Sequence, residues 1–250
     1  MNFDLATAAT VHVDRARAWA RDRLSPAAPD IDGTGHVPEA VQEGVRGVMS
    51  AEAGRDDVTF VAVVEELAVA SAATALMAAG GALGAGAADA GPQWPGLRGA
   101  DVDGLRARLS GDARWHIAVT AIFIGLARAA ADQATTSLRA ARATGVPNEA
   151  AEAPLADAAT ACDAARLLLR DAARAGRAGG TASAARGMAR LQALEAVALA
   201  LAAAERATDR DASRPGAVLE RISRDAATAA RVLGDAVDAQ AAVAGAVLPG

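Results

Sequence analysis

Six side chains in this sequence have the type and the setting to perform chemistry. His116 is one of three histidines, and imidazole is the natural proton carrier near neutral pH. It stands beside Trp115 at the start of a long apolar segment. Asp132 follows sixteen residues later, flanked by alanines, and is expected to be buried near the same helix face. Glu66 sits with Glu65 inside "VAVVEELAVA"; one of the two must face inward, and an inward carboxylate has to be paired or neutralised. Arg128, Arg166 or Arg170 is the expected partner. These three, His116, Asp132 and Glu66, are the candidate acid/base set. Arg224, in "LERISRDAATAARVLGD", is the candidate anion-binding residue; Trp115 and Trp94 are the candidate walls of the substrate site. A structural reading of Arg224 and Asp225 competes: Arg224 ties its helix to a neighbour and Asp225 offsets the helix N-terminus. Cys162, the only cysteine, lies on an alanine-rich helix and reads as a small buried hydrophobe. His12 and His36 carry no specific signal.

Composition removes several classes of chemistry. All 25 basic residues are arginine, so no lysine is present for Schiff-base chemistry. A net charge of −5 and an aromatic share of 2% argue against a nucleic-acid partner. One cysteine excludes an internal disulfide and a cysteine-rich metal site, and no HExxH or paired CxxC occurs; no metal is expected. The N-terminus, MNFDLATAAT, has no basic segment of the secretory type, and the apolar run from Val58 to Ala88 is interrupted by Glu65, Glu66 and several glycines. The reading is a cytoplasmic protein with no membrane partner.

The elements that position these residues are helical. Alternating strand patterns are nearly absent, while helical periodicity and alanine run throughout. The spacing predicts helices over Asp4–Leu24, ending before Pro26, from Pro38 to near Met49, and over 58–79 with Asp56 or Asp57 as cap. Residues 87–112, rich in Gly, Pro and Asp, form a linker with at most one short helix. Asp112 is expected to cap a helix over 113–143, followed by helices at about 155–174, 182–207 and 216–247. The predicted organisation is all-α: an N-terminal three-helix part (1–86), the linker (87–112), and a C-terminal four-helix bundle (113–250).

The order of these pieces resembles the acyl-CoA dehydrogenases and the related flavin monooxygenases. "ARDRLSPAAPDIDGTGHVPEAVQEGVRGVMSAEAG" and "FVAVVEELAVASAATALM" look like their helical first domain. "WHIAVTAIFIGLARAAADQA", "RATGVP", "LADAATACDAARLLLRDAA", "ARGMARLQALEAVALALAAAE" and "LERISRDAA" look like their C-terminal bundle, the last with the family's Arg-Asp pair. Between the two parts the family has a β-barrel-like domain that holds the flavin ring. Here the linker stands in its place, and "QWPGLRG" looks like a relic of it. The flavin motifs also depart from the family pattern. In "ARATGVP", Arg142 and Gly145 match the diphosphate turn, but Thr144 replaces its Phe. Asp209 and Arg210 stand where a glycine pair is expected. Leu233, followed by Gly234, replaces the glutamate base that many dehydrogenases carry. The resemblance therefore implies the family's fold without its flavin, and no cofactor is expected. It leaves three functions. One is a non-redox biosynthetic enzyme that cyclises, isomerises or dehydrates a small or polyketide-like substrate, or an acyl thioester, in the reused cleft. A second is a non-catalytic partner subunit of a flavin-containing homologue. The third is a ligand-binding protein without turnover. Loss of the middle domain exposes inner helix faces, and apolar area left in water costs roughly 25 cal/mol per Å². The N-terminal helices are therefore expected to pack on the bundle, the chain to form a homodimer through the bundle, and the ligand to sit between the two parts near His116 and Trp94.

Overall fold

The computed structural model describes residues 5–49, 56–84, 97–98, 100–145, 148–176, 180–208, 216–234 and 236–248. Every regular element among them is helical. The N-terminal part comprises α1 (Thr7–Trp19), a π-helical turn (Ala20–Leu24), α2 (Ser25–Thr34), α3 (Glu39–Val48), α4 (Asp57–Ala70) and α5 (Ala72–Ala82). A short α6 (Val102–Leu109) follows in the linker. The bundle comprises α7 (Ala113–Ala143), α8 (Glu149–Arg174), α9 (Gly180–Thr208), α10 (Ala217–Val232) and α11 (Ala236–Val247).

Local chemistry explains most boundaries. Asp56 caps α4, accepting from the Val58 and Thr59 amides at 3.2 and 3.1 Å. Asp112 caps α7, accepting from the Arg114 amide at 2.8 Å. Four boundaries differ from the sequence expectation, one of them at α8, which starts at Glu149 rather than near 155 and contains Pro154. The first helix does not stop before Pro26; the π turn carries the chain through, and Pro26 falls in the first turn of α2, directly after it. The 58–79 helix is broken at Ser71, whose extended backbone ends α4 while its hydroxyl caps Thr74 of α5 at 3.3 Å. The last helix is broken at Leu233–Gly234, where Gly234 adopts φ 116°, a conformation that glycine takes without strain.

The N-terminal part packs directly on the bundle, as expected. α4 is buried almost all round and lies against α7. Gly125 makes this possible: a Cβ there would fall 2.8 Å from the Glu65 carbonyl and into Ala68. Phe60, Leu67, Leu76, Ile122, Phe123 and Ile124 fill the shared core. Arg114 pairs with Asp57 at 2.7 Å and lies 4.6 Å over the Phe60 ring, binding the start of α7 to α4. α7 and the 181–208 stretch of α9 are long and apolar enough to cross a membrane by length and composition. In α7 most of that stretch is buried inside the fold.

Candidate functional site

The carboxylates of α4 lie at the junction of the two helical parts. Arg128 Nη1 of α7 donates to Glu65 Oε1 at 2.7 Å and to Glu66 Oε1 at 3.0 Å. Arg166 of α8 donates to Glu65 at 2.7 Å, and Arg17 of α1 donates to Glu66 at 3.0 Å. Both glutamates are buried. Three arginines from three helices thus hold two carboxylates on a fourth. The expectation of an arginine partner holds for Arg128 and Arg166. The role of Glu66 as an acid/base group does not fit this geometry, because its carboxylate is engaged by two guanidiniums inside the core.

Asp132 lies elsewhere. It is exposed, not buried, on the wall of a groove of about 550 Å³ between α7 and α8 with Thr135, Arg139 and Glu152. Partial desolvation raises its pKa, opposed by Arg128 and Arg166. Sixteen residues of helix separate it from His116, a rise of roughly 24 Å. The two occupy different sites, and the structure does not bring His116, Asp132 and Glu66 together.

Arg224 and Asp225 are joined to other elements. Arg224 Nη2 donates to Asp32 Oδ2 of α2 at 2.6 Å. Asp225, buried beneath it, accepts the Leu97 amide at 2.5 Å, and Leu97 has φ 54°. Burial pushes the Asp225 carboxyl up to about 6, against the Leu97 hydrogen bond. Arg224 thus ties its helix to a neighbour, as in the structural reading. Asp225 differs from that reading: it anchors the linker rather than offsetting a helix dipole. Trp94, Asp209 and Arg210 lie outside the described residues.

His116 opens a different cavity, of about 380 Å³, at one end of the bundle. Its walls come from α6, the start of α7, α9 and the α10–α11 break; no residue of the N-terminal part lines it. This corrects the expected position between the two parts. There α4 and α5 close tightly on α7. Trp115, 2% exposed, forms one wall. His116 Nε2 lies 2.9 Å from the Ser110 carbonyl, which can only accept, so Nε2 carries the proton in the neutral ring. His116 is exposed overall, but partial desolvation lowers its pKa, Arg190 and Arg186 lower it further, and the Ser110 carbonyl opposes them. These effects favour the neutral ring, with Nδ1 as its basic nitrogen.

Opposite stands Arg190, which the sequence reading passed over. It is 7% exposed. Its Nε donates to Thr120 Oγ1 and its Nη2 to the His116 carbonyl, both at 3.0 Å. Nη1 makes longer contacts to the Leu233 and Gly234 carbonyls, at 3.4 and 3.5 Å. The Phe123 ring lies 5.2 Å beneath it. Burial brings its pKa down to about 10, still protonated at neutral pH. The available signal was spacing: Arg186 and Arg190 are four apart on one apolar helix and so share a face.

The positions that the family resemblance assigns to a flavin do not fit one. Thr144 offers no ring, and its hydroxyl donates to the Ala141 carbonyl at 2.9 Å. Arg142 pairs with Glu152 at 2.8 Å. Leu233, where many dehydrogenases hold a carboxylate, is an apolar wall of the His116 cavity. A further cavity of about 380 Å³ lies between α3 and α5, lined by Val45, Met49, Thr74 and Met77; it contains no predicted site residue.

No protein-family model and no curated protein matches the sequence. Solved structures do match its fold. A glutaryl-coenzyme A dehydrogenase in complex with glutaryl-CoA superposes with a TM-score of 0.77 at 18% identity, over 98% of this chain and 96% of that one. XiaF from Streptomyces sp., solved with FADH2 and glycerol, gives 0.75 at 13% identity over 96% and 95%. Butyryl-CoA dehydrogenase from Megasphaera elsdenii gives 0.73 at 14% identity over 99% and 100%. The chain has the helical fold of the acyl-CoA dehydrogenases.

Proposed function

We propose that this chain is a flavin-independent enzyme on the acyl-CoA dehydrogenase fold, performing non-redox acid–base chemistry on a small molecule in the His116 cavity. One observation carries the reading: a neutral imidazole and a buried, positively charged guanidinium face the same cavity. His116 Nδ1 is the base that removes a proton next to a carbonyl, and Arg190 favours the negative charge that develops. Such a pair serves isomerisation, cyclisation or dehydration without an electron acceptor. Leu233, on the same wall, supplies no base, and His116 shares the cavity with one carboxylate, Asp238. Acyl thioesters and polyketide-like carbonyl compounds are the substrate classes. The test is exchange of α-protons with D2O, followed by NMR on a panel of short acyl thioesters and β-keto compounds. Wild type is expected to exchange at least one of them, and His116→Asn to lose about a hundredfold or more of that rate. A yellow preparation with stoichiometric flavin, or full exchange by His116→Asn, overturns the reading.

A second reading has its own support. α11 carries exposed Val237 and Val247, followed by exposed Leu248, and one carboxylate, Asp238, an apolar surface suited to another subunit. In this reading the chain is a partner of a flavin-containing homologue, and tagged protein expressed in its own host is expected to bring down a yellow flavoprotein.

A further inference from the structure

The charges around the His116 cavity do not balance. Among the described residues, Arg106 of α6 and Arg186 and Arg190 of α9 line it, against a single acid, Asp238 of α11. Three cations and one anion leave an excess of two positive charges. Among the described residues, none of the three guanidiniums has a carboxylate within 4.0 Å. Arg186 finds only the Gly176 carbonyl, at 3.4 Å. Arg186 and Arg190 are four residues apart on one helix, a like-charge spacing that destabilises a helix unless something lies between them. Arg190 is the sharper case. Its guanidinium has five N–H groups. Nε goes to Thr120 and one Nη2 N–H to the His116 carbonyl; the second Nη2 N–H is left over, and Nη1 has only the long contacts to the Leu233 and Gly234 carbonyls. All its partners are neutral, and a desolvated charge held only by neutral groups gains strongly from a counter-ion.

We infer that this cavity binds a small dianionic oxyanion, its head on the Nη1–Nη2 edge of Arg190, where the long contacts of Nη1 give way to it, and its second charge between Arg186 and Arg106. The planar fork of arginine matches a carboxylate or a phosphate in two parallel hydrogen bonds. A dicarboxylate and a phosphate ester share that chemistry. A volume of about 380 Å³ lies within the usual range for small-ligand sites. The inference rests on the reading above that this cavity is the functional site, and it supplies the substrate's charge.

The test is calorimetric titration of the intact chain with inorganic phosphate and with succinate, beside potassium chloride at equal ionic strength. We expect saturable one-to-one binding of at least one of the two dianions, the tighter one identifying the source of the charge, and none of chloride. Arg190→Gln is expected to abolish it. Because Arg190 also ties α7 to the α10–α11 break, the deciding variants are Arg186→Gln and Arg106→Gln, each expected to bind at least tenfold more weakly with unchanged circular dichroism. Arg139→Gln, in the α7–α8 groove, should bind as wild type. Absence of saturable binding by either dianion overturns the inference, as does wild-type affinity in both deciding variants. The binding titration needs no turnover, and the exchange assay needs no added dianion. A failure of the acid–base reading therefore leaves this result standing, and α-proton exchange without anion binding sinks this inference alone.

Discussion

Asp225 joins the linker to the last part of the bundle through one hydrogen bond to an amide with positive φ, and it does so as a buried acid. Its folded pKa of about 6 lies above the ordinary 3.8. Between those values the folded state holds more protons than the unfolded chain, so acidification favours the fold. Above pH 6 the cost of the buried charge is present in full. Relative to Asp225→Asn, wild type is expected to gain roughly 2 kcal/mol of stability as pH falls from 7.5 to 4.5, measured by urea unfolding at each pH. A difference that is flat with pH, or of opposite sign, contradicts the environment described for this residue. Sequence alone could reach part of this. That Arg224 and Asp225 lie on a helix was readable, though they fall in the middle of α10 rather than at its start, and Asp32, 192 residues away, gave no local sign of being the partner of Arg224. Glu65 was more legible: a carboxylate on an apolar helix needs a cation, and few arginines lay on helices able to face it. Arg190 was missed because an arginine amid alanines and leucines reads locally as a surface residue; its burial is made by α7 and the α10–α11 break, both distant in sequence.

Helices α1, α4, α7 and α8 meet at the Glu65–Glu66 cluster, where Arg128 touches both carboxylates. Arg128→Met keeps the apolar stem and removes the charge, leaving two buried carboxylates to share Arg17 and Arg166. A loss of about 3 kcal/mol in urea unfolding is expected. A loss within experimental error would mean that the cluster does not join these helices energetically. Helix boundaries show the same divide between local and distant causes. Asp56 and Asp112 could be read as caps because capping is decided within three residues. The break at Ser71 could not, since a serine in an apolar run is as compatible with continuing the helix as with ending it. The passage through Pro26 also went unread: a proline tolerated in a first turn looks the same in sequence as one that stops a helix.

The molecule as a whole closes one inner surface and leaves another. α4 and α5 cover the face of α7, whereas α11 sits at the edge of the bundle with Val237, Val247 and Leu248 at 64, 71 and 76% exposure. The chain is expected to run as a homodimer in light scattering, with Val247→Asp and Leu248→Asp together shifting it to monomer; a monodisperse wild-type monomer refutes this. The all-α architecture and the docking of the N-terminal helices on the bundle were legible, because both follow from periodicity and from the need to cover apolar faces. The place of the cavity was not, since it depends on where α11 turns at Gly234. Cys162 lies within α8, 5% exposed, and burial pushes its thiol up to about 11. A maleimide added to the native protein therefore finds no reactive thiolate until the bundle opens. With no second cysteine to confuse the signal, the alkylation rate becomes a direct clock of how often this protein breathes.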